Sequence, residues 1–427
     1  MTSSLPWSFD SAQQRVEQVL SRVSADEPVL RHAFTRMFEA LALEQSSGPT
    51  AHTSHPLSGA LVSVKDLFDV AGFVTHAGTR FMANDAPAEQ DAAAIRRLAE
   101  AGAVLIGHTN MTELAYSGLG LNPHYGTPES VLYPGCIAGG STAGGAVSVA
   151  AGAADIAIGT DTGGSLRIPA AFNGIVGFKP SQSTISQQGC KPLSQSLDSV
   201  GPMAKSVEAC RLAFQTMRDH PETIERHLET SFVVPDNYGM DDLQPEVAAA
   251  FEHSLTLLTE AGYSVERRSL QSLEKLKTLA IWHFSAVESR AYYDDAYQNQ
   301  HASIDPRVSS RMARADALSA IEYRQTLNLR QQLIDAHQEE MQGKVLLMPT
   351  VPVLPPRVSD LDDDDAYTRL NLQALRNPSI ANVMNGCSIS LPLTHEQHTI
   401  GIMLSAATLS DQALLDLAQR CEALFLP

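Results

Sequence analysis

The sequence predicts an α/β fold, one domain over 1–427 built on a central mixed, twisted sheet with helices on both faces. Three observations carry this expectation. Short apolar runs and amphipathic helical stretches alternate from Leu61 onward, and strand–helix–strand alternation calls for a mostly parallel or mixed sheet covered by helices. Apolar residues make up 44% of the 427 positions, enough to fill a large core. The stretch from Ala138 to Pro180, AGGSTAGGAVSVAAGAADIAIGTDTGGSLRIPAAFNGIVGFKP, sets two Gly-rich turns on either side of one small-residue, buried unit.

Taken in order, residues 8–44 read as an N-terminal helical segment, from the apolar spacing in AQQRVEQVL and LRHAFTRMFEALAL. Glu44 to Pro56 is rich in turn formers and reads as a loop. A catalytic core is expected over about 58–205. Leu61 to Val64 is a short buried strand that delivers Lys65. Asp91 is placed to cap the helix DAAAIRRLAEAGA, which Gly102 ends, and AVLIG follows as a strand. Ala146 to Ile158 is long enough for a helix and then a strand. GIVGFKP reads as a loop, and Asp198 with Gly201-Pro202 as a turn before a helix from Val207. Residues 218–245 are more polar and looser. The remainder is expected to complete the sheet and the substrate pocket. It comprises a helix ended by Gly262, the strand SVERRSL, a long helix from Ala317 to Met341, and the strand KVLLMPTVPVLPP. A last strand, TIGIMLSAA, precedes a final amphipathic helix with Ser410 as its cap.

The two Gly-rich turns each carry a serine, Ser141 in GGSTAGG and Ser165 in DTGGSLR. Glycines let the backbone approach a ligand closely, and consecutive N–H groups pointing one way make an anion-binding nest. A serine inside such a nest is a nucleophile beside donors for an oxyanion. One such turn alone reads as an ordinary turn, and a serine still needs a base. Lys65 ends a buried strand, where desolvation favours the neutral amine. On that pattern alone it reads instead as a lysine reaching its head to the strand end. Asp161 and Arg167 flank Ser165 by four and two residues. In a buried turn they can bond backbone groups and each other and so fix the nest. The alternative is two surface charges.

KDLFDVAG, GHTNMTELAYSGLG, GGSTAGG and GTDTGGSLRIPAAFNGIVGFKP, in this order and spacing, resemble the amidase signature family from about Leu61 to Pro202, with weaker similarity to the C-terminus. The resemblance implies a single amidase-signature domain and a Ser–cis-Ser–Lys triad. Position by position, the base is Lys65, the cis-serine is Ser141 and the nucleophile is Ser165. The oxyanion hole maps to the backbone N–H groups of Thr162, Gly163, Gly164 and Ser165. It also makes Ala115 and Tyr116 pocket candidates, although core packing explains both equally well. One departure is Ala143, where the family has a glycine. The implied activity is that of an amidohydrolase cleaving the C–N bond of a linear carboxamide or urea-type amide through a serine acyl-enzyme. The alternative is the glutaminase (A-type) subunit of an amidotransferase.

Other classes are disfavoured. A net charge of −18 argues against nucleic acid as a partner. No GxxxxGK[ST] is present, which disfavours a nucleotide-binding protein, and neither serine sits in GxSxG, which disfavours an α/β-hydrolase esterase. The acidic run near Asp360 to Asp365 lacks the alternation and glycine of a divalent-metal loop, and HEQH at His395 to His398 misses the HExxH spacing. No metal and no cofactor are therefore expected. Five cysteines, Cys136, Cys190, Cys210, Cys387 and Cys421, are scattered without CxxC spacing. With no basic leader ahead of an apolar run and no apolar run of transmembrane length, a cytoplasmic protein is expected, with no membrane contact. The expected partner is a small amide substrate, and a homodimer is compatible with the sequence.

Overall fold

The computed structural model describes residues 5–48, 54–219, 226 and 228–426. Eleven strands lie in it: β1 Phe34–Met37, β2 Leu61–Lys65, β3 Val104–Thr109, β4 Ile156–Asp161, β5 Val176–Lys179, β6 Ser199–Ala204, β7 Ser231–Pro235, β8 Ser264–Arg268, β9 Val345–Pro349, β10 Cys387–His395 and β11 His398–Ala406. All join one sheet in the order β1-β3-β2-β4-β6-β5-β10-β11-β9-β7-β8. β3, β2 and β4 run parallel, as do β9, β7 and β8, and an antiparallel block from β4 through β6, β5, β10 and β11 to β9 joins these two wings. The sheet is therefore mixed, as expected.

Side chains alternate between the two faces of a strand, and β2 shows what this does. Val62 and Val64 enter a core that also holds Leu98, Phe214, Leu414 and Leu417. These come from the helices Ala93–Glu100, Val207–Met217 and Asp411–Phe425. Leu61 faces the other way, into a core with Ala146 and Val149 of the helix Ala143–Ala150. Ser63 shares that second face, its hydroxyl 2.8 Å from that of Ser148. Helices thus cover both faces. The period of two puts Lys65, the next residue on the Leu61 face, at the start of the helix that follows Ser141.

Several elements differ from the sequence reading. The N-terminal segment 8–44 is not continuously helical: a helix Phe9–Ser24 is followed by β1, and then by a helix Glu39–Ser47. The apolar spacing of LRHAFTRMF suits either period, and antiparallel pairing of β1 with β3 decides it. That second helix runs into the loop expected from Glu44, and residues 49–53 of the loop lie outside the described residues. GIVGFKP contains β5, and Gly201-Pro202 lie within β6 rather than in a turn. Proline lacks a ladder donor, and the pairing of β5 with β6 stops at Gly177–Met203, one residue short of Pro202. Asp91 does not cap its helix but accepts from the Ala71 N–H at 2.7 Å. Ser410 precedes the last helix without a side-chain capping bond. Within 218–245, β7 was not anticipated; residues 220–225 and 227 lie outside the described residues. No helix among the described residues is long and apolar enough to cross a membrane.

Candidate active site

Lys65 ends β2 with no exposure to solvent. Its Nζ donates to Ser141 Oγ at 2.7 Å and to Thr160 Oγ1 at 3.1 Å. Burial brings its pKa down to about 7, against the opposing charges of Asp198 and Asp161. The ammonium is therefore half discharged near neutrality, which is what a proton acceptor at that pH requires.

Ser141 is held by backbone on both sides. Its carbonyl accepts from Thr112 N–H at 3.1 Å, and the Gly140 N–H donates to the Gly118 carbonyl at 2.8 Å. The Gly140–Ser141 peptide is cis. A Cβ at Gly140 would lie 2.6 Å from Gly120 N and 2.7 Å from Gly120 Cα, so only glycine fits. Ala143 begins the helix Ala143–Ala150 and packs with Ala33, Ala138 and Val147. A methyl group is thus accommodated at the position where the motif departs from the family pattern.

Ser165 lies in the turn between β4 and the helix Arg167–Asn173, 3% exposed. The turn is built around Asp161. One carboxylate oxygen accepts from Gly164 N–H and Arg167 Nη2, both at 2.8 Å, and from Asn382 Nδ2 at 3.0 Å. The other accepts from Arg167 Nε at 3.0 Å and Leu166 N–H at 3.2 Å. Arg167 also donates to Asn382 Oδ1 at 2.8 Å. Both members of the pair are wholly buried. Burial by itself would raise the Asp161 carboxyl, but Arg167 and the other donors hold it at about 2. Asp161 and Arg167 are thus a buried clasp and not two surface charges.

One expected donor is spent. The Gly164 N–H points into the Asp161 carboxylate and is not free for an oxyanion, because the nest closes on its own aspartate. Of the four mapped N–H groups, those of Thr162, Gly163 and Ser165 remain. Thr162 is fixed separately: its hydroxyl donates to Asp198 Oδ1 at 2.5 Å, while Asp198 Oδ2 accepts from the Leu193 and Ser194 N–H groups at 2.9 and 3.0 Å. Burial raises Asp198 to about 6 despite these bonds.

Ser165, Thr162 and Gly163 line a cavity of about 760 Å³, and Ala115 and Tyr116 border it. Its far wall comes from residues 238–242, 281–314 and 369–379, far along the chain. Thr160, Asn382 and the arginines of that wall carried no local signal, since nothing near them in sequence marks their role. Asp198 was legible only as a turn residue.

Fold and site together are those of an amidase-type hydrolase. The family described as Amidase matches residues 14–415. The chain is 34% identical over 383 residues to the 2-amino-5-chloromuconic acid deaminase of Comamonas testosteroni, covering 86% of this chain and 82% of that one. It is 30% identical over 425 residues to Amidase 1 of Arabidopsis thaliana, covering 90% and 98%. A crystal structure of an amidase superposes with a TM-score of 0.85 at 29% identity, over 96% of both chains. The chain belongs to the Amidase, or amidase signature, family of hydrolases.

Proposed function

We propose that this protein hydrolyses the C–N bond of a linear amide through an acyl-enzyme on Ser165. The observation that carries the reading is the buried 2.7 Å bond from Lys65 to Ser141, made by a lysine whose pKa lies at about 7. In the forward step Ser165 Oγ attacks the amide carbon. Its proton passes to Ser141 Oγ, and the Ser141 proton passes to neutral Lys65 Nζ. The carbonyl oxygen, now an oxyanion, takes the N–H groups of Thr162, Gly163 and Ser165, which need no reorganisation. Collapse breaks the C–N bond. The leaving nitrogen receives a proton from Ser141, which Lys65 replaces. Water then repeats the sequence on the ester and releases the acid. Asp161 and Arg167 hold the turn and do not touch the reacting atoms.

Relatives named for amidase and deaminase chemistry support this reading. So does the similarity to an indoleacetamide hydrolase, 30% identical over 84% of this chain. The amidotransferase-subunit alternative draws only on similarity to such subunits over 62% of this chain. The test is ammonia release by the purified protein alone across small amides and ureas, with and without Ser165→Ala. Turnover retained by that variant overturns the assignment.

A further inference from the structure

The cavity beside Ser165 carries four arginines, Arg311, Arg314, Arg369 and Arg376, against one carboxylate, the exposed Asp242. Its sign is opposite to that of the whole chain, at −18. Arg376 is committed to the fold, where Nη2 donates to the carbonyls of Gly239 at 3.1 Å and Asp241 at 2.7 Å. Arg311 and Arg314 are different. The acidic groups near them in the chain are taken: Asp294 and Asp316 pair with Arg290 at 3.1 and 3.2 Å, and Asp364 pairs with Arg307 at 2.9 Å. Neither Arg311 nor Arg314 has an ion-pair partner among the described residues.

Both guanidinium groups are nevertheless held in place. Arg311 donates to the Tyr116 carbonyl and lies 5.4 Å from the Tyr367 ring centre. Arg314 stacks on the face of Trp282 at 3.8 Å. Burial first, and then the charge of Arg311, lower the proton affinity of Arg314, against an opposing contribution from Tyr116. A guanidinium does not escape such a position by losing its proton. Two like charges facing one cavity without a counter-ion are relieved by an anion brought in as ligand. The planar fork of arginine matches a carboxylate in particular.

We propose that the amide taken by this site carries a carboxylate, and that Arg311 and Arg314 are the specificity-determining residues that receive it. The inference rests on the amide-hydrolase reading above. Its test is kcat/KM for a series of dicarboxylic acid monoamides and, for each, the neutral aliphatic amide of equal chain length. A parallel series places the carboxylate on the leaving amine. In either series the charged member should be favoured by about a hundredfold, mainly through KM, and the advantage should shrink with added salt. Arg314→Gln and Arg311→Gln should each collapse the charged-to-neutral ratio by about tenfold to a hundredfold. Arg311 also anchors Tyr116, so thermal melting accompanies each variant. The exposed Arg314 is the variant that decides if Arg311→Gln fails to fold. A wild-type ratio near one, or an unchanged ratio in folded Arg314→Gln, overturns this inference and leaves the hydrolase reading standing. No ammonia from any amide, together with no fluorophosphonate adduct on Ser165, overturns both.

Discussion

Arg167 grips Asp161 at two points, Nε at 3.0 Å and Nη2 at 2.8 Å, with neither side chain exposed to solvent. The same carboxylate holds the Gly164 and Leu166 N–H groups on either side of Ser165, so the shape of the Ser165 turn depends on this pair.

Arg167→Ala should therefore lower activity and thermal stability together. Removing one partner of a buried ion pair strands the other charge, a cost of about 3–5 kcal/mol. Arg167→Lys keeps the charge but loses the fork and should fall between. Denaturant unfolding and initial rates measured on the same preparations check this, and full activity with unchanged unfolding would remove the idea. The pH sense follows from Asp161. Its folded pKa of about 2 lies below its ordinary 3.8, so the unfolded chain binds the proton first as pH falls. The stabilisation is complete above about pH 4 and is lost as pH drops towards 2. Arg167→Ala should flatten that part of the stability profile.

Lys65 sets the rate profile. Activity should rise with pH along a limb near 7, as the amine discharges. Asp198 lies close enough to oppose that shift and titrates near 6, so the limb belongs to the pair rather than to one group. Lys65→Ala should abolish both the limb and most of the rate. Stability moves in the same direction: the folded pKa is below the ordinary 10.5, so the unfolded chain holds more protons between pH 7 and 10.5 and stability climbs with pH there. Lys65→Met should remove that slope and leave the protein no less stable at pH 7. A steep slope persisting in the variant would assign it elsewhere.

The two serines should separate kinetically. Ser165→Ala removes the nucleophile, with an expected loss in kcat of about 10⁴-fold or more. Ser141→Ala keeps nucleophile and nest, so a small residual rate should survive. A serine-directed fluorophosphonate should label Ser165, read by peptide mass mapping. A label on Ser141 or Cys136, with Ser165→Ala still active, would reverse the assignment.

Gly140→Ala tests the packing beneath Ser141. The added methyl would meet Gly120 backbone atoms at 2.6 and 2.7 Å and Thr112 Oγ1 at 2.9 Å, contacts that require the backbone to move. A loss of about 1–3 kcal/mol in stability is expected, with a larger fractional loss of activity because Ser141 moves with the strand of Gly residues before it. Wild-type melting and rate together would show that the turn has slack.

The sequence alone was sufficient for everything that depends on near neighbours. The Gly-rich turns, the buried lysine at a strand end and the Asp161–Arg167 flank are set by residues within a few positions of each other, and their glycines and charges are visible in one dimension. The alternation of apolar runs was likewise enough for a mixed sheet covered by helices. Tertiary structure decided the rest. β1, β5 and β6 are strands because partners distant in the chain satisfy their backbone groups, overriding a helical spacing, a Gly-rich loop pattern and a proline. The Gly164 N–H is spent on Asp161 because the turn folds back on its own carboxylate. Asn382 reaches Asp161 across 221 positions and Arg311 reaches Tyr116 across 195. No local pattern marks such residues, since what brings them to the site is the closure of the sheet and not their neighbours in sequence.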